Sequence, residues 1–102
     1  MKTMKNEKHV VGKDGVGKDA TETTGGLLRA CLYQMPQGGF TLDVQRKRLR
    51  VLEAVELAEK DSKDIKLEDA DHDTAKECVR TMAWGVMSRG IVEFCDQVLG
   101  KE

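Results

Sequence analysis

Apolar residues recur at helical spacing from Leu27 onward and at no regular spacing before it. At about 100° per residue, Leu27, Leu28, Cys31, Leu32 and Met35 share one stripe, which predicts a first helix. Thr23 or Thr24 stands where a cap belongs, and Pro36 stops the helix. The turn Pro36-Gln37-Gly38-Gly39 follows, with two glycines that tolerate positive φ. The longest helix is expected over Leu42 to Lys60, with Thr41 as its N-cap and Asp43 at the positive helix end. Val44, Val51, Ala54, Val55 and Ala58 line one side of it, flanked by Leu52. Leu49 and Leu57 fall on the opposite side, about two turns apart. A helix that is apolar on two sides is either sandwiched by its neighbours or half of an interface.

Past a polar link from Asp61 to Asp64, Ile65-Lys66-Leu67 alternates as a short strand does. Its one local partner by pattern is His9-Val10-Val11, which predicts a single two-stranded ribbon. Asp69 or Asp71 is expected to cap a third helix with Ala75, Cys78, Val79 and Met82 on one face. Trp84 to Met87 forms an apolar connector. Ser88 opens the last helix, where Ile91, Val92, Phe94, Cys95, Val98 and Leu99 crowd one face, and Gly100 ends it. The pattern is therefore mostly α: a small bundle of four short helices, with Trp84 and Phe94 as the large core pieces.

The first 26 residues read differently. They are rich in Lys, Gly and Thr, and their aliphatics larger than Ala are Val10, Val11 and Val16 beside Met1 and Met4. Such a stretch buries too little to offset its ordering entropy. Residues 1–26 are expected to be a flexible arm and residues 27–102 the helical domain. With 102 residues there is room for one such domain.

Charge narrows the function classes. Seventeen basic residues stand against 18 acidic ones, for a net charge of -1. The arm carries five lysines and four acidic residues, so neither part has a strong field. A dedicated polyanion binder is normally clearly basic, so nucleic acid is not an expected partner. No apolar run reaches the roughly 18 to 20 residues of a membrane span, and no membrane partner is expected. No apolar leader segment follows the first lysines, so reduced cytoplasmic thiols are expected for the three cysteines.

Three segments invite chemistry. Gly12, Gly17 and Lys18 resemble the phosphate-binding loop of P-loop NTPases, where amides and a lysine cradle phosphates. Asp19 departs from the pattern by replacing the magnesium-holding hydroxyl. A flexible Gly/Lys segment is the plainer reading, with nucleotide binding as an alternative. Asp69, Asp71 and Asp73 have the alternate spacing that opens an EF-hand loop, but Thr74 and Arg80 stand where it needs Gly and Glu. Helix capping explains these carboxylates better, and no metal is expected. Arg46, Lys47, Arg48 and Arg50 could grip phosphates, yet at helical spacing they spray around the axis and no aromatic interleaves to stack on bases. Arg50 is expected to pair with Glu53. Cys31, Cys78 and Cys95 fall on apolar stripes, His9 in the arm and His72 in an acidic cap. No catalytic group and no cofactor are expected.

The segments Met35 to Asp43, Arg46 to Ala54 and Leu67 to Asp71 carry a pattern of turn, basic amphipathic helix and acidic cap. In that pattern the chain resembles small proteins encoded in tailed bacteriophages and prophages, over roughly Leu27 to Leu99. The resemblance implies a phage setting, in the host cytoplasm or in the virion. Together with the two-sided second helix, it points to a non-catalytic protein that works by protein contact, as a virion component or assembly factor. The alternatives are an inhibitor or regulator of a host protein and, second, a nucleotide- or nucleic-acid-binding protein. The arm and the second helix are the expected contact surfaces, with Arg46, Leu49, Arg50, Glu53 and Leu57 as the interface residues. The expected partner is a protein: a second copy, another virion subunit or a host protein.

Overall fold

The structure is a computed structural model that describes residues 1–13, 19–61, 63–85 and 87–100. Among these residues, four helices form the body: α1 (Thr24–Tyr33), α2 (Leu42–Asp61), α3 (Asp69–Thr81) and α4 (Arg89–Leu99). Four strands among them accompany the helices: β1 (Lys2–Met4), β2 (Lys8–Lys13), β3 (Asp19–Thr23) and β4 (Ile65–Leu67). The mostly α architecture agrees with the sequence pattern.

Capping chemistry sets most helix ends. Thr23 is the N-cap of α1, accepting from the Gly26 N–H at 3.0 Å. Thr41 accepts from the Val44 N–H at 3.3 Å at the start of α2. Ser88 caps α4 by accepting from the Gly90 N–H, and Gly100 closes it in the left-handed region at φ 79°. At α3 the expectation needs correcting. The residue before the helix is Glu68, whose side chain makes no capping bond; Asp69 and Asp71 sit inside the first turn. There they complement the helix dipole rather than cap.

The core lies where the inner stripes meet. Phe94, Leu28, Val51, Val55, Val98, Ile65 and Leu67 are fully buried in it. Trp84 is half-buried and meets the Phe94 ring edge-on, centroids 6.1 Å apart. Three members of the expected stripes lie outside the core: Met35, beyond the end of α1, and Val92 are exposed, and Val44 is half-buried.

The expected single ribbon is two, with different partners. β4 pairs antiparallel with β1, Met4 opposite Ile65 and Lys2 opposite Leu67. His9 and its neighbours in β2 pair instead with β3, with a bulge between Val10 and Gly12. The described residues of the first 26 are thus folded onto the body, which corrects the expectation of a flexible arm. Met4 and His9 are each 5% exposed. The physical reason is that polar groups tie this segment down. The first turn of a helix leaves N–H groups without intrahelical acceptors. Here the Thr24 N–H donates to Glu7 O (2.8 Å) and the Gly25 N–H to Asn6 Oδ1 (2.9 Å). A count of apolar residues registers none of these bonds.

One buried hydroxyl joins the strands to two helices. Thr24 Oγ1 lies 3.0 Å from His9 Nε2, 3.1 Å from Gln97 Oε1 and accepts from the Glu7 N–H. The hydroxyl has one proton; given to Gln97, it makes His9 Nε2–H the donor on the other side. Gln97 Nε2 in turn donates to Lys5 O at 2.7 Å. Gly90 completes the seam between β2 and α4, because a Cβ there would overlap the Val10 carbonyl.

Candidate interaction surface

α2 has 20 residues and turns one stripe, Val51, Leu52, Val55 and Ala58, into the core. That leaves its opposite face to solvent. Leu49 is 51% exposed and Leu57 63%, and Leu42, also 63% exposed, extends the same face by two turns. Arg46, Arg50 and Glu53 are exposed between them. At 3.6 residues per turn, these six fall within an arc of about 100° and span about 22 Å along the axis. The five residues expected to share an interface therefore share one exposed helix face. Burying a leucine from full exposure is worth about 1.5–3 kcal/mol, and each of these three still has half or more of that surface to cover, so together they form a substantial potential contact.

The basic residues of α2 have separate employment. Arg50 Nε lies 3.1 Å from Asp71 Oδ1. This replaces the expected pairing with Glu53, because the first turn of α3 brings a carboxylate to the guanidinium. Lys47 pairs with Asp43 at 3.2 Å. Arg48 points the other way and donates from Nη1 to the carbonyls of Leu32 (2.9 Å) and Gln34 (2.6 Å), closing the end of α1. Its guanidinium also lies 5.7 Å from the centre of the Phe40 ring. The four cations do not converge on one point.

Beside Leu49 runs an open apolar groove of about 300 Å³, lined by Leu32, Tyr33, Phe40, Gln45, Arg48, Leu49 and Leu52. Tyr33 is 63% exposed on its rim. Neither the groove nor Leu42 was anticipated from the sequence. Leu42 had a signal, since it stands seven residues before Leu49 on the same stripe; the groove had none, because it forms between the α1–α2 turn and α2. A second exposed apolar pair, Met87 and Val92, lies at the start of α4 and is shorter.

The chain matches no protein-family model, no curated protein and no solved structure.

The residues singled out for chemistry are dispersed or committed. Gly12 lies in β2, while Gly17 and Lys18 lie outside the described residues. The segment that follows, Asp19–Thr23, is a strand antiparallel to β2. A phosphate loop opens a helix at that point, so the hairpin departs from it. His72 Nε2 donates to the Val98 carbonyl at 2.8 Å, tying α3 to α4, and His9 is held in the Thr24 network. Burial pushes the Cys31 thiol up to about 12, with Cys95 and Cys78 adding to the shift. Burial likewise raises Cys78 and Cys95. The neutral thiol is a poor nucleophile, which suits a packing role. Among the described residues, no group of three His, Cys, Asp or Glu is arranged to hold a metal.

Proposed function

We propose that this protein acts by protein contact rather than by catalysis, and that it docks through the outer face of α2. The observation that carries the reading is the set of Leu42, Leu49 and Leu57, all more than half exposed on a helix whose other side is locked into the core. A helix backbone already fixed by the core leaves only the side chains to be ordered on binding. Arg46, Arg50 and Glu53 between them supply charge selectivity more than affinity. Buried, up-shifted thiols and structurally engaged histidines support the non-catalytic part of the reading. The resemblance of this helix and its flanks to small tailed-phage proteins supports a virion or assembly setting. The folded first strands no longer stand as a separate contact arm, so α2 is the principal surface.

A photo-crosslinking residue placed at Leu49 in cells that express the full chain tests this. It is expected to trap a protein, while the same group at exposed Glu77 on α3 traps none. Equal labelling from both positions, or none from Leu49, contradicts the proposal. A trapped host enzyme would turn the setting from assembly to host control.

A further inference from the structure

We infer that the occupant of the α2 face is a second copy of the same chain, laid antiparallel across it. This rests on the reading of that face as a contact surface and names its partner. The exposed stripe has a two-fold symmetry of its own. A two-fold interface requires that if one residue meets another, the second meets the first in return. Taken about a point between Leu49 and Arg50, the stripe is its own complement. Leu42 falls opposite Leu57, Arg46 falls opposite Glu53, and Leu49 lies beside its own copy.

The chemistry of each pairing is favourable. Leu42 and Leu57 are both 63% exposed in the single chain, so each covers apolar surface that is otherwise wet. Arg46 and Glu53 lie near the centre of the arc, within about 20° of each other, so each reaches its opposite across the crossing. They meet twice per dimer, once on each side of the axis. Leu49 is half exposed and packs against the partner's Leu49 at the centre. The one like-charge approach is Arg50 beside its copy, and each Arg50 already has the Asp71 carboxylate at 3.1 Å. Of the other charges of α2, Lys47 is held by Asp43 and Arg48 is turned into the α1 end, while Lys60, on the same arc, falls beyond the start of the reversed helix and Glu56 stands at the edge of the arc. Reversed helices also set the positive end of each α2 near the negative end of the other. A parallel pairing would instead put Arg46 beside Arg46 and Glu53 beside Glu53.

Charge reversal separates this arrangement from every other. In R46E, two Glu–Glu contacts replace the two ion pairs; in E53R, two Arg–Arg contacts do. Each single variant, as the full chain, is expected to associate at least about tenfold more weakly than wild type by sedimentation equilibrium, from two exposed pairs turned repulsive. The double variant R46E/E53R restores the dimer. So does a one-to-one mixture of the two single variants, because each then faces its complement. Circular dichroism checks that all variants keep the wild-type helix content. Singles that associate like wild type, or a mixture no tighter than its components, overturn the inference. So does a wild-type chain that stays monomeric at high concentration. In that event the crosslink from Leu49 still decides the contact-surface reading on its own, by trapping a different protein.

Discussion

The two faces of α2 both carry aliphatic side chains and do different work. On the inner face Val51 and Val55 are fully buried against α1, α3 and β4. On the outer face Leu42, Leu49 and Leu57 project into water. The inner residues exclude water within one chain, so their loss is felt as instability. The outer residues have nothing to exclude until a partner arrives, so their loss is felt as failed association. Hydrophobicity alone does not separate core from contact surface; the neighbours of each face do.

Substitutions on the inside are expected to have the largest effects. Phe94 is fully buried and is touched by Trp84 and His9 at its edges. Phe94→Ala is expected to destabilise by about 3–5 kcal/mol in urea unfolding. In a chain of this size that is a large share of the total stability. A loss under about 1 kcal/mol would mean the packing around Phe94 is loose. Thr24→Val keeps the volume but leaves the neighbours of the hydroxyl without it, and is expected to cost about 1–3 kcal/mol. The protection of the β2 amides against hydrogen exchange should fall with it. Unchanged protection would show that the strands are held by something other than this hydroxyl.

The buried thiols give a smaller effect with a definite sign. Cys31 has an ordinary value of 9.0 and is pushed up to about 12 in the fold. The folded chain therefore holds a thiol proton that the unfolded chain gives up. This contribution to stability is complete below pH 9.0 and is lost as pH rises toward about 12. Cys31→Ala should flatten that alkaline decline in a series of melts, and an unchanged slope would place its cause elsewhere. At pH 8 the native Cys31 should resist thiol reagents that label it in urea.

The helices were legible because each rule they follow is local. Thr23, Thr41, Ser88 and Gly100 act within three or four residues of themselves, and the inner stripes repeat at a fixed angle. The strands were less legible, because their partners are remote. Met4 pairs with Ile65, and nothing local to either residue announces the other. The order of the described residues among the first 26 also rests on backbone and amide groups of Lys5, Asn6 and Glu7 meeting Thr24, Gly25 and Gln97. Those bonds leave no trace in an apolar pattern, which is why His9 read as part of a loose arm while it sits buried against Phe94. The outer face of α2 was readable from Leu49 and Leu57 because a second stripe on one helix is itself a local signal. The pairing of Arg50 with Asp71 was not, since it needs the position of α3.

The most direct measurement is sedimentation velocity of wild type beside the double variant Leu49→Asp/Leu57→Asp, with a thermal melt of the same samples. Wild type is expected to associate and the variant to remain a folded monomer, with a melting temperature close to wild type. A variant that unfolds would make those leucines core, and one that associates as wild type does would remove α2 from the interface.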